Sequence, residues 1–261
     1  MKLFILLSRV PYILDKGDKL RAFYQIQKLS EKHDITLFAL AEETDPLAEA
    51  TEELQKYCRH VYLFPLTKAA ILRNTARSFH NTKPVQVNYF YDAKAQEQVD
   101  AIIKRHQPDH IYCQLVRMAE YVRHVKNIPK TLDYMDTFSQ GMARRSVIAP
   151  FYLKPIFKLE AFRLKKYEAQ VFNDFRYKTI ISRQDRDLIA HPRHKEIAVV
   201  PNGIQTSYFQ PLDVPKQYDL VFTGNMNYAP NIEAAVFLAK KVLPLVHKEF
   251  PAARLLLAGA S

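Results

Sequence analysis

The first 65 residues alternate short unbroken apolar runs with segments of helical spacing, and this alternation narrows the folds open to the chain more than any other feature. The opening run, Leu3 to Leu7, has no polar residue at alternate positions, so a strand formed from it would be buried on both faces. Strands of that kind belong to parallel sheets covered by helices. Leu20, Phe23, Ile26 and Leu29 then recur at helical spacing with Lys, Arg and Gln between them, predicting a helix from about residue 19. A second strand is expected over 34–39. A helix follows over 46–57, with Thr44 or Asp45 as its cap and Pro46 in its first turn, and a third strand over 60–65. The order β-α-β-α-β implies a parallel sheet with right-handed crossovers.

Later segments extend the pattern. Residues 93–106 and 155–173 read as helices, and 110–113, 130–134 and 177–182 as strands. Residues 197–200 lead into Pro201, Asn202 and Gly203, with Pro211 and Pro215 close behind, a composition expected of a linker. We therefore expect a first α/β domain over 1–200, a linker over 201–216 and the start of a second domain over 217–261. In that second domain, 219–224 reads as a strand entering a glycine loop, 231–246 as its helix and 254–258 as the next strand. A single βαβ unit leaves sheet edges and apolar helix faces uncovered, so the second domain is expected to be truncated.

At 261 residues and 48% hydrophobic content the chain can bury a large core. The opening apolar run is far shorter than the roughly 20 residues needed to span a membrane. It also lacks the cleavage site of a signal peptide. Two isolated cysteines, Cys58 and Cys113, have no metal-ligand spacing and fit a reducing compartment, so the expectation is a cytoplasmic protein. None of the nine histidines forms an HExxH set, and no metal is expected. The fingerprints GxGxxG, GxxxxGK[ST] and GxSxG are all absent, which removes the main sequence support for dinucleotide dehydrogenases, P-loop nucleotidases and α/β-hydrolases.

The formal charge of +11 predicts attraction to anions. More than half of the surplus lies between Gln140 and Asp187, where eleven basic residues face five acidic ones. There Arg144, Arg145, Lys154 and Lys158 interleave with Phe151, Tyr152, Ile156, Phe157, Leu159 and Phe162. That mixture suits a helix lying on an anionic membrane, whereas Leu164, Tyr167, Val171 and Phe175 have the spacing of a core face. The inner face of the membrane is the candidate location. A nucleic-acid-binding module would account for the charge but not for the strand-loop-helix order, so nucleic acid is not an expected partner.

Three loops carry candidate site residues. Residues 8–19 connect the first strand to its helix, where open α/β sheets bind ligands and free N–H groups favour anions. Gly17 would let the backbone turn and approach a ligand. Asp18 either faces that ligand or caps the helix, and Lys19 and Arg21 face either the ligand or solvent. Asp133 and Asp136, with Ser139, follow another strand and could meet acceptor hydroxyls, although Asp136 or Thr137 would equally serve as a helix cap. In the second domain Gly224 is placed for close approach of a diphosphate, with Asn225, Met226, Asn227 and Asn231 around it.

In chain order, these segments resemble glycosyltransferase family 4 enzymes of the GT-B fold, especially exopolysaccharide-type sugar transferases. The matching pieces are Pro11 with residues 16–21 (KGDKLR), 29–37 (LSEKHDITL), 132–139 (LDYMDTFS), 160–168 (EAFRLKKYE), 181–185 (ISRQD) and 199–204 (VVPNGI) with Phe209 to Pro211. The resemblance implies an N-terminal acceptor-binding Rossmann-like domain and a hinge at Pro201, Asn202 and Gly203, followed by a C-terminal domain that grips a nucleotide sugar. It further implies retaining transfer without a required metal or other cofactor, onto a glycan or lipid-linked acceptor. By this analogy Gly17, Asp18, Lys19, Arg21, Asp133, Asp136 and Ser139 line the acceptor cleft, and Gly224, Asn225, Met226 and Asn227 the donor side. The second-domain Glu-x7-Glu donor motif of the family, with its diphosphate-binding Arg and Lys, is expected beyond residue 261, and Gln114 and Arg117 stand where many relatives carry a histidine. Little or no turnover is therefore expected from this chain alone. A noncatalytic partner of a complete transferase is the alternative that the residues leave open.

Overall fold

A computed structural model describes residues 1–78, 80–204, 210–211, 213–226 and 229–259. Asn227, one of the expected donor-side residues, lies outside them. The chain divides into two compact units, Met1–Gly203 and Ile204–Ser261.

The first unit is built on a seven-stranded sheet of β1 (Lys2–Leu7), β2 (Asp34–Ala41), β3 (His60–Pro65), β4 (His110–Gln114), β5 (Lys130–Asp133), β6 (Tyr177–Ile180) and β7 (Ala198–Val199). Their order is β3-β2-β1-β4-β5-β6-β7, and every neighbouring pair is parallel. The apolar run of β1 serves both faces, as its pattern requires. Leu3, Ile5 and Leu7 join Ala22 and Ile26 of α1 (Gly17–Ser30) and Ala50 and Leu54 of α2 (Leu47–Gln55). Phe4 and Leu6 point the other way, into the cluster that holds Val99 and Ile102 of α5 (Ala93–His106) and Tyr167 and Val171 of α7 (Lys154–Val171). Side chains alternate across a strand, so one continuous apolar run supplies two cores.

Several local expectations are corrected. Neither Thr44 nor Asp45 caps α2: its N-cap position is Pro46, and Asp45 instead accepts the Glu42 amide at 2.7 Å. The stretch between β3 and α5 holds two further helices, α3 (Lys68–Arg77), capped by Thr67, and α4 (Val85–Phe90). A 3₁₀ segment, Val116–Tyr121, follows β4. Beyond β5 lie α6 (Phe138–Ile148), α7 and α8 (Arg183–Leu188).

In the second unit, β8 (Leu220–Thr223) pairs in parallel with β9 (Leu255–Ala258). The connection is α9 (Ala229–Phe237), a π-helical turn at Leu238–Val242 and α10 (Leu243–Val246). Pro244 sits just past the π turn, where its missing N–H removes a regular helical bond.

Candidate functional site

In a sheet of this order, the loops after β1 and β4 diverge at their carboxyl ends and leave a crevice, the usual ligand position of an open α/β sheet. The backbone is distinctive there. Leu115, directly after β4, has φ 67°, and Met135, two residues past β5, has φ 61°. Left-handed conformations cost non-glycine residues roughly 1–3 kcal/mol each and concentrate at binding sites. The Asp133 carbonyl accepts the Leu115 amide at 2.8 Å, and its carboxylate accepts the Met135 amide at 3.2 Å, so one residue fastens both turns.

Above these strand ends lies a hollow of about 450 Å³. Ser8 and Arg9 line it after β1, Gln86 and Phe90 come from α4, and Arg117 enters after β4. The Arg117 guanidinium sits 4.8 Å from the Phe90 ring centre and 4.6 Å from that of Phe138, and its Nη2 donates to Gln86 Oε1 at 2.9 Å. Its Nε and Nη1 are buried without an acceptor. Burial, reinforced by the nearby Arg9 charge, lowers the Arg117 pKa to about 10, against the pull of the Asp18 and Asp136 carboxylates. Arg9 Nη1 donates to Asp18 Oδ2 at 2.6 Å, whereas Arg9 Nε and Ser8 Oγ are also buried without a hydrogen-bond partner.

Helix α7 supports this wall from behind. Glu160 accepts the Val85 and Gln86 amides at 2.8 and 3.1 Å, meeting the open N–H groups at the start of α4. Glu168 does the same for α6, accepting from Ser139 N at 3.0 Å and Ser139 Oγ at 2.6 Å. Thr137 occupies the N-cap position of α6 without a side-chain cap bond, so the capping carboxylate comes from another helix rather than from Asp136 or Thr137.

The expected acceptor-side residues fall into two groups. Gly17 and Asp18 open α1, and Asp136 lies beside the crevice. Asp136 keeps an accessible face, yet enough protein surrounds its carboxyl for desolvation, aided by Asp185, to push its pKa up to about 6. A group that solvent reaches while protein surrounds it occupies a concave surface. Lys19, Arg21, Asp133 and Ser139 are buried. Lys19 pairs with Asp15 and Asp45 at 3.3 and 3.7 Å. Arg21 Nε donates to Asp133 Oδ2 at 2.8 Å, the same oxygen that Tyr112 OH reaches at 2.8 Å. These buried residues shape the site from within its walls. Gly17 has no positive φ and faces open space; the left-handed residue of its loop is Ile13.

Of the expected hinge, Asn202 Oδ1 accepts from Arg21 Nη1 at 2.8 Å, and Pro201, Asn202 and Gly203 are exposed. In the second unit, Asn231 Nδ2 donates to the Asn225 carbonyl at 3.0 Å and packs over Gly224. Met226 is half-buried in the same loop.

The membrane candidates are also placed. Arg144, Arg145 and Lys158 are exposed and Lys154 is half-buried on α6 and α7. Between them Phe151 (84% exposed), Phe162 (67%), Ile148, Tyr152 and Ile156 stand open to solvent. Leu164, Tyr167, Val171 and Phe175 are buried, as their spacing predicts. No helix among the described residues is long and apolar enough to cross a membrane, and none of their side chains form a group of three or more suited to a metal ion.

Sequence reasoning overlooked Ser8, Arg9, Gln86 and Phe90 as site residues. Arg117 stood out only by its place after a strand. The remaining signal for Arg9 was equally positional: a cation immediately after the first strand.

No family model matches the chain. It is 25% identical over 273 aligned positions to an uncharacterized 44.6 kDa protein in cps region of Klebsiella pneumoniae. The alignment covers 99% of this chain and 64% of that protein, so the chain spans less than two thirds of its relative. Among solved structures it is similar to sucrose-phosphate synthase from Thermosynechococcus elongatus, with a TM-score of 0.60 and 11% identity over all of this chain and 71% of that one. It is also similar to Medicago truncatula UGT71G1 complexed with UDP-glucose, with a TM-score of 0.51 and 12% identity over all of this chain and 66% of that one. The fold is thus α/β and Rossmann-like, of the GT-B type.

Proposed function

We propose that this chain carries the acceptor side of a glycosyltransferase that moves a sugar from a nucleotide-sugar donor to a glycan or lipid-linked acceptor in exopolysaccharide or cell-surface polysaccharide synthesis. The observation that carries this reading is the hollow at the β1/β4 crevice, edged by polar groups without partners, in a fold shared with enzymes of sugar transfer. The Klebsiella relative, described as lying in a cps region, supports the biosynthetic setting.

In this reading the acceptor enters over Gly17, Asp18 and Arg117, and Asp136 orients its attacking hydroxyl. A carboxyl with a pKa near 6 is a usable hydrogen-bond acceptor at neutral pH and remains close enough to neutrality to exchange a proton. Gly224, Asn225, Met226 and Asn227 contribute to the donor side, and Pro201, Asn202 and Gly203 form the hinge. Transfer is retaining and needs no metal, by the resemblance to family 4.

The exposed face of α6 and α7 suits a bilayer surface. Aromatic side chains enter the headgroup region while Arg144, Arg145, Lys154 and Lys158 meet anionic lipid, which would hold the enzyme where a lipid-linked acceptor lies.

The test is NMR of the chain with backbone and arginine side chains labelled. A short oligosaccharide should shift the signals of Arg9, Arg117 and the loop holding Asp136, and UDP-glucose should shift those of Gly224 and Asn225. Signals that move with neither ligand overturn the reading.

A further inference from the structure

Folded proteins rarely leave buried donors unpaired, and the exceptions call for a cause such as an absent ligand. Three of them converge on one place here, Ser8 Oγ and Nε and Nη1 of Arg117, beside Arg9, whose Nε makes no hydrogen bond and has only Glu42 at 3.6 Å. They belong to the residues after β1 and β4, on either side of the crevice, and all three residues line the same hollow.

The charges nearby are unevenly matched. Glu43 pairs with Lys68 at 3.5 Å, Glu42 lies 3.6 Å from Arg9 and 3.7 Å from Lys16, and Asp18 binds Arg9. Among the described residues no carboxylate lies within 4.0 Å of Arg117; its direct contacts are two aromatic faces and one neutral amide oxygen, and the Asp18 and Asp136 carboxylates act on it only from further away. A guanidinium has donors and no acceptor, so whatever fills its two open positions must present lone pairs. A sugar hydroxyl satisfies one such N–H. A carboxylate or phosphate accepts a charge-assisted bond from either and supplies a close counter-charge.

We propose that the acceptor is an anionic saccharide, and that Arg117, with Arg9 and Ser8, holds its carboxylate or phosphate in this hollow. The proposal rests on the transferase reading and narrows its substrate class. The rings of Phe90 and Phe138 fix the guanidinium plane, and Gln86 takes an N–H of Nη2. Glu160 holds the helix that carries Gln86 and Phe90, so α7 positions the anion site without touching it.

The experiment compares three probes of one size, methyl glucuronide, glucose 6-phosphate and uncharged methyl glucoside, by calorimetry and by the arginine Nε–H signals of the 261-residue chain. At least one charged probe is expected to bind about ten-fold or more tighter than the glucoside and to shift the Arg117 signal. The preferred probe then tells a uronic acid from a sugar phosphate. Arg117→Met should abolish the preference and Arg117→Lys should restore part of it. Should the Arg117 variants fail to fold, Ser8→Ala and Arg9→Gln, each checked by urea unfolding, should reduce it separately. Equal binding of charged and uncharged probes overturns the anionic assignment and leaves the transferase reading standing. If no saccharide binds and UDP-glucose shifts nothing, both fall.

Discussion

Glu168, on α7, accepts both the backbone N–H and the hydroxyl of Ser139, 29 residues earlier in the chain, at 3.0 and 2.6 Å. The carboxyl sits in the core, and desolvation pushes its pKa up to about 7 despite those two donors. A carboxyl that binds its proton more tightly when folded contributes stability that is full below the unfolded value of 4.5 and lost as pH rises through 7. Asp136 shifts in the same direction. Unfolding free energy measured in urea should therefore fall between pH 4.5 and 7.5, with Glu168 contributing at most about 3 kcal/mol. Glu168→Gln, which retains an acceptor for the Ser139 amide, should flatten that slope. An unchanged slope would refute the assignment.

The pair formed by Arg21 and Asp133 is sealed from solvent, with side chains 5% and 0% exposed. Removing one partner strands the other charge. Asp133→Asn and Arg21→Met should each destabilise the chain by about 3–5 kcal/mol, and the double variant by less than the sum. Denaturant titration of the four proteins measures the coupling, and strict additivity would show that the pair contributes none.

The exposed aromatics of α6 and α7 should matter to lipid and not to stability. Sedimentation with vesicles containing phosphatidylglycerol should retain the protein at low salt, and pure phosphatidylcholine should not. Phe151→Ser with Phe162→Ser should release it while leaving the unfolding midpoint unchanged. Retention of the double variant would rule out insertion of these rings.

Two glycines should respond in opposite ways. A methyl group at Gly17 meets nothing, so Gly17→Ala should stabilise the first turn of α1 by about 0.5–1 kcal/mol. If saccharide passes over that turn, binding should weaken in the same variant. At Gly259 a Cβ would lie 1.6 Å from the Gly224 carbonyl oxygen, so Gly259→Ala should disrupt the β8/β9 pair, visible as loss of amide protection in those strands.

Burial pushes the Cys58 thiol up to about 12 and raises that of Cys113 as well. Neither should react with a thiol reagent at pH 8 in the native protein, and both should react in guanidinium. Rapid native labelling of either would contradict their burial.

Most of the sheet was legible in the chain. The ranges 60–65 and 93–106 match β3 and α5, because period and apolar content are local properties that survive into the fold. Helices α3 and α4 escaped notice for the converse reason: Lys68–Arg77 buries only Ala70 and Asn74, and the six residues of Val85–Phe90 begin on a carboxylate supplied by Glu160, 75 residues away. The site divides along the same line. The expectation of a site after the first strand came from chain order, whereas that of Asp18 and Asp136 in it came from the family resemblance, and neither is among the residues that line the hollow. That Asp133 pairs with Arg21 inside the wall, while Arg117 lies between two rings with no carboxylate against it, was decided only when distant segments met. Periodicity records which side of an element faces the core. Whether a buried charge finds a partner depends on residues that the pattern does not connect, and that pairing separates a structural ion pair from a binding group.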